Sequence, residues 1–252
     1  LMSSSVKISR ILHAGYLFEC ESTQIIFDPI FENPFSTNCY AFPPVTFDCN
    51  KIKTLAPAAV FISHFHDDHC SLESLILLDK KIPIYLYCLH PEFFDLIKAL
   101  GFENVYSLEI DMTITIGPFK VTPRKAFDSD TDSLFEINAF DLNILNVVDS
   151  VMDSTTLHQL AKKAPWDMVL WPFQMMRETD ILTPSRADTS SYEFPEEWLD
   201  QLKLLSPRYI VPSSCQFQHE SWSWYNQALF PISYKQFESK IKSSLADTDV
   251  VR

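Results

Sequence analysis

Five consecutive apolar residues, Ala58-Ala59-Val60-Phe61-Ile62, run almost directly into the segment His64-Phe65-His66-Asp67-Asp68-His69. An unbroken apolar run of this length is what a strand buried on both faces requires. Such a strand cannot end in a crowd of ionisable side chains unless water or a ligand satisfies them. His64 and His66 are two residues apart, so an extended strand end points both imidazoles the same way. Asp68 and His69 fall where the chain turns into the next helix and face a second point nearby. Imidazole and carboxylate held on rigid structure are the ligands of zinc, iron and manganese. A solvated polar turn is the plainer alternative.

The rest of the chain supplies a frame for that strand. Val6–Leu12, Tyr16–Cys20 and Gln24–Phe27 read as antiparallel strands ending at Asp28-Pro29. Residues 30–53 have no period and read as a long, aromatic, packed loop. Ser71 can cap a helix running to about Lys80, Ile82–Cys88 reads as a strand, and Pro91–Leu100 as a helix closed by Gly101. Hairpins are expected over 112–122, turning at Gly117-Pro118, and over 134–148, ending at Asp149. Helices Ser154–Lys163 and Pro195–Leu205 alternate with strands Met168–Trp171 and Tyr209–Val211, and Tyr234–Leu245 reads as a last helix. Two mixed sheets packed face to face with helices outside account for this order, an α+β arrangement. No linker divides residues 1–252, so one domain is expected.

Composition narrows the partners. The formal net charge is −13, and the Lys and Arg residues are scattered rather than massed on one stretch. That disfavours nucleic acid, whose binders carry a basic face. No apolar run reaches the roughly 18 residues of a membrane span, and no basic-then-apolar leader precedes the first strand. Cys20, Cys39, Cys49, Cys70, Cys88 and Cys215 form no C-x-x-C pair and no disulfide framework. Reduced thiols and a cytoplasmic location are the expectation. Oligomeric state is not readable.

His-x-His-x-Asp-His after an apolar strand resembles the metallo-β-lactamase superfamily, and the resemblance implies a four-layer αβ/βα sandwich. His13-Ala14-Gly15 followed by Ile26-Phe27-Asp28-Pro29 is similar to the opening of the branch containing ascorbate-phosphate lactonases and N-acyl phosphatidylethanolamine phospholipase D. Asn146-Val147-Val148-Asp149 lies where the family carries a metal-bridging Asp, and Pro212-Ser213-Ser214 where it places its last His. Asp130-Thr131-Asp132-Ser133-Leu134, with His219-Glu220, is more like the corresponding domain of the CMP-sialic acid hydroxylases. The resemblance implies a first metal at His64 and His66, a second at Asp68 and His69, and Asp149 between them. It also implies catalysis by a metal-bound hydroxide, with Asp68 and Asp149 as catalytic residues.

Two family ligands are missing. Ala126-Phe127-Asp128 stands where the third His of the first site belongs, so Asp128 or Asp130 is the candidate carboxylate substitute, with a solvated acidic loop as the plainer alternative. A carboxylate-rich site favours iron or manganese over zinc, which the standard pattern favours. Ser214 replaces the last His, for which His219 is the candidate substitute. His13 could orient a ligand or substrate, or serve structure alone. Trp222 and Trp224 either wall a substrate pocket or pack a core. His90 and His158 receive no role, and Met175 to Tyr192 is a candidate lid. Cys70 adjoins His69 but lacks a base to activate it.

One or two divalent ions are therefore expected, in a hydrolase acting on an ester, lactone or phosphodiester of a small molecule or lipid. An iron-dependent oxidoreductase on the same fold, and a non-catalytic metal-binding module, are the alternatives.

Overall fold

Apolar side chains on alternate sides of the same strands build one core shared between two sheets and a further core outside each sheet, under its helices. The computed structural model describes residues 5–173, 194–215, 217–223, 226 and 233–252. The first half contains β1 (Lys7–Arg10), β2 (Tyr16–Cys20), β3 (Thr23–Phe27), β4 (Tyr40–Ala41), α1 (Cys49–Lys53), β5 (Ala59–Ile62), α2 (Leu72–Leu75), β6 (Ile84–Leu86), α3 (Pro91–Ala99) and β7 (Val105–Ser107). The second contains β8 (Ile114–Ile116), β9 (Phe119–Lys125), β10 (Ser133–Ala139), β11 (Leu142–Asn146), α4 (Ser154–Ala161), β12 (Met168–Trp171), α5 (Glu196–Leu205), β13 (Tyr209–Pro212), β14 (Phe217–Gln218), α6 (Tyr234–Ser244) and β15 (Asp249–Val250).

Six strands form one sheet in the order β1-β2-β3-β5-β6-β7, and seven form another in the order β15-β13-β12-β11-β10-β9-β8. Each sheet is mixed. The first is antiparallel through β1, β2 and β3 and parallel from β3 to β7. The second is antiparallel from β8 to β11 and parallel from β11 to β15.

The alternation along each strand explains the layering. Ala59 and Phe61 face the space between the sheets, where Phe18 and Phe27 meet Phe119, Phe135, Ile144 and Leu170. Val60 and Ile62 face the other way, onto Leu75 and Ile97 of the helices. In the second sheet Leu145, Val169 and Ile210 turn outward onto Leu160, Leu202 and Phe237. Burying one such side chain stabilises the fold by about 1.5–3 kcal/mol. The result is helices, sheet, sheet, helices: a four-layer αβ/βα sandwich. No helix of the described residues is long and apolar enough to cross a membrane.

Gly117, at the β8–β9 turn, has φ +55°, and a Cβ there would lie 2.5 Å from the Thr23 hydroxyl. The turn of the second sheet can approach the β2–β3 turn only because that position is glycine. The expected long loop over 30–53 contains β4 and α1, the latter capped by Asp48. Phe35, Cys39 and Ala41 of this segment pack with Leu12 and Phe217. The helix capped by Ser71 stops at Leu75, sooner than its sequence suggests. Lys80 Nζ turns back onto the carbonyls of Ile76 and Leu78 and closes the segment.

Candidate metal centre

The ends of β3, β5 and β11, the turn after β1 and the chain entering β10 converge at one edge of the sandwich. His64 leaves β5 buried, His66 is exposed, and the turn back to His66 O from His69 N and Cys70 N returns His69 to the interior. His13 sits in a tight turn closed by Ile11 N to Gly15 O and Gly15 N to Leu12 O. A Cβ on Gly15 would lie 2.8 Å from the Asp28 carbonyl, so only glycine lets this turn lie against β3. Asp149 follows Val148, whose φ of +63° is costly for a β-branched residue and is held by a bond from its N–H to Asn146 Oδ1.

Two groups of ligand atoms result. Nitrogens and oxygens of His64, His66 and Asp132 lie within 4.8 Å of one another, and so do those of His13, Asp68, His69 and Asp149. The groups adjoin, the His64 and His69 rings being 4.1 Å apart between centroids. In the second group Asp149 Oδ2 lies 3.1 Å and Asp68 Oδ2 3.3 Å from His69 Nε2.

Asp28, at the end of β3 and fully buried, organises the site from behind. Its Oδ1 accepts Ser63 N at 2.7 Å, and its Oδ2 accepts the Ser63 hydroxyl at 2.6 Å and His69 Nδ1 at 2.9 Å. A buried carboxylate with this many donors orients the groups it touches.

The residues present fit a divalent metal. Among the described residues Asp149 Oδ1 is buried without a hydrogen-bond partner, an expensive state that a cation in the centre resolves. The donors are imidazole and carboxylate, a set suited to zinc, iron or manganese. Charges also press for a cation. Burial, then Asp149, pushes Asp132 up to about 7. Burial pulls His64 down to about 3, with neighbouring His69 adding to it, so His64 stays neutral and ready to ligate. Burial alone would lower His69, but Asp149 and Asp68 raise it well above the usual histidine range. Burial would likewise raise Asp149, but the His69 charge overrides it and holds the carboxyl below the usual range.

Several expected residues thus meet: His64, His66, Asp68, His69, Asp149 and His13. Others stand elsewhere. Asp128 is exposed, and its carbonyl accepts Thr131 N and Asp132 N. That turn, tied down by Tyr87 hydroxyl to Ser129 O and by Ser133 hydroxyl to Ser63 O at 2.7 Å, presents Asp132 to the histidines instead. Asp130 is exposed as well. His219 belongs to neither group, because β14 pairs with β4 and carries it to the Asn38 carbonyl, 3.3 Å from its Nδ1. Trp222 is 83% exposed and so packs no core, while Trp224 and residues 175–192 lie outside the described residues. The Cys70 thiol is pushed up to about 12 by burial and then Asp28, which removes it as a nucleophile.

Asp132, Asp28 and Ser63 were not singled out from sequence as site residues. Asp28 had a signal, an acid closing the apolar run Ile25-Ile26-Phe27.

No family model matches the sequence, and no curated protein matches it. Solved structures do. Igni18, a metallo hydrolase from Ignicoccus hospitalis, superposes with TM-score 0.64 at 18% identity, over 98% of this chain and 95% of that one. YhfI from Bacillus subtilis, a metallo-β-lactamase fold protein, gives 0.61 at 14%, over 96% and 89%. CmlA, a diiron β-hydroxylase from Streptomyces venezuelae, gives 0.63 at 14%, over all of this chain but 53% of its own length. With the two mixed sheets, the outer helices and the edge on which the ligand atoms gather, these superpositions show that the chain has the metallo-β-lactamase fold.

Proposed function

We propose that this chain is a metal-dependent hydrolase acting on an ester, lactone or phosphodiester of a small molecule or lipid. His64, His66 and Asp132 would hold one ion, Asp68 and His69 a second, with Asp149 shared between them. The observation that carries the reading is the pair of adjoining ligand groups beside a buried carboxylate oxygen that has no hydrogen-bond partner among the described residues. When bound, divalent ions polarise a carbonyl or phosphoryl oxygen and acidify water to near neutral pKa.

The protein's own part is placement. Asp28 and Ser63 aim His64 and His69. The strained turn at Val148 holds Asp149 against His69 in the second group. Asp68 carries the contact to His13, at 3.0 Å. The fold shared with a metallo hydrolase is in keeping with this reading. The test is metal-replete protein against a panel of esters, lactones and phosphodiesters, with His66→Ala and Asp149→Ala as controls. Turnover lost in both variants supports the proposal, and no turnover of any member by the native protein counts against it.

A second reading, an iron-dependent oxidoreductase, draws support from Asp132. A carboxylate in place of a third imidazole makes the first group harder and more suited to iron or manganese. The diiron enzyme among the structural relatives has the same fold. Iron near stoichiometry with a visible absorption band favours this reading, and zinc alone removes it.

A further inference from the structure

Each buried histidine facing these groups has one ring nitrogen committed to a partner, and that commitment decides what the other can do. A neutral imidazole carries one N–H and one lone pair. His69 Nδ1 faces Asp28 Oδ2, which only accepts, so Nδ1 keeps its proton and Nε2, which faces Asp149 Oδ2 at 3.1 Å, is the nitrogen whose proton a bound metal would displace. His64 Nδ1 lies 2.9 Å from the Ser63 hydroxyl oxygen. The Ser63 proton already goes to Asp28, so that oxygen accepts from His64 and leaves Nε2 a lone pair. Both are set as ligands.

His13 is set the opposite way. The backbone N–H of Cys215 donates to His13 Nδ1 at 2.9 Å, so the lone pair is there and cannot carry a proton. The proton of the ring therefore sits on Nε2, which faces Asp68 Oδ2 at 3.0 Å and lies 3.3 Å from His69 Nε2. The ring is 1% exposed and wedged against Phe35 and Phe217, centroids 5.5 Å away in each case, so it has no room to turn over.

We propose that His13 is a fixed hydrogen-bond donor to the second group and not one of its ligands. Its position invites the opposite assignment, since Ser214 leaves that group short of an imidazole and His13 Nε2 lies among its ligand atoms. The Cys215 N–H forbids it. His13 is a positioning residue: its Nε2–H holds the Asp68 carboxylate and leaves Asp68, His69 and Asp149 as the protein ligands of that ion. The inference rests on the metal-site reading above for the word ligand, but the placement of the proton stands without it.

The test is nitrogen NMR of the native chain labelled at histidine, with the His13 resonances assigned by their loss in His13→Gln. His13 should show a protonated Nε2 and a bare Nδ1 before and after Zn2+ is added. Elemental analysis at saturating Zn2+ should find as many ions in His13→Ala and His13→Gln as in the native protein, with affinity weakened about 10–100-fold in the alanine variant. Gln, which keeps a donor, should recover part of that loss. A proton on Nδ1 in either state, or one ion fewer in both variants, overturns the proposal. If the native chain binds no Zn2+, the metal-site reading fails, and the spectrum of the metal-free protein still decides where the His13 proton sits.

Discussion

Asp28 Oδ2 and His69 Nδ1 meet at 2.9 Å with both side chains essentially shielded from water. They lie 41 residues apart in sequence, at the end of β3 and in the turn after β5, and the contact turns His69 Nε2 toward Asp149. Asp28→Asn keeps the shape and offers an amide in place of an acceptor-only carboxylate, so the proton on Nδ1 is no longer enforced. Metal affinity should fall about 10–100-fold, read by competition with a chromophoric chelator. Unchanged affinity would mean that Asp28 serves folding alone.

Asp132 is the carboxylate that completes the first group, and Asp128 is not. Asp132→Ala should therefore lower metal content, and Asp128→Ala should leave it unchanged. Asp132→His rebuilds an all-imidazole set and should shift preference toward zinc over iron or manganese. Elemental analysis after loading with mixed metals reads both effects. Equal losses from Asp128 and Asp132 variants would contradict the assignment.

How much of this was legible beforehand follows the range of the interactions. His64, His66, Asp68 and His69 lie within one strand end and its turn, and Asp149 closes a hairpin, so local pattern exposes them. Asp128, Asp130 and Asp132 alternate in one acidic loop and look alike in sequence. The choice among them is made by Ser133 reaching Ser63 across the two sheets, 70 residues away. The His13 tautomer depends on Cys215, 202 residues distant. β4 and β14 hold two residues each, too few to show any period, yet their pairing is what takes His219 away from the site.

His219→Ala is accordingly a negative control. Its ring lies by Asn38 rather than among the ligand atoms, so metal stoichiometry should match the native protein. Loss of an ion in this variant would return His219 to the site.

The metal-free protein should lose stability as pH rises above neutrality. Burial would lower His69, but Asp149 and Asp68 raise it. A raised histidine contributes stability that is fully present below its unfolded value, about 6.5, and is lost as pH rises through its folded value. Two other groups act below that window and oppose each other. His64, held down to about 3, favours folding increasingly as pH rises toward 6.5, while Asp132, pushed up to about 7, disfavours it over a similar range. Above about pH 7 both are flat. Bound metal replaces the His69 proton, so the loaded protein should lack this slope. Urea midpoints at pH 7 and 8, with and without chelator, read the difference, and parallel slopes would contradict it.

The most direct test of the metal centre is its occupancy in protein purified without chelator. Elemental analysis should find about two divalent ions per chain, falling to about one in Asp132→Ala and in His69→Ala, each checked for native circular dichroism. A native chain that carries no metal, and that takes none up from Zn2+, Mn2+ or Fe2+ at neutral pH, would contradict the account.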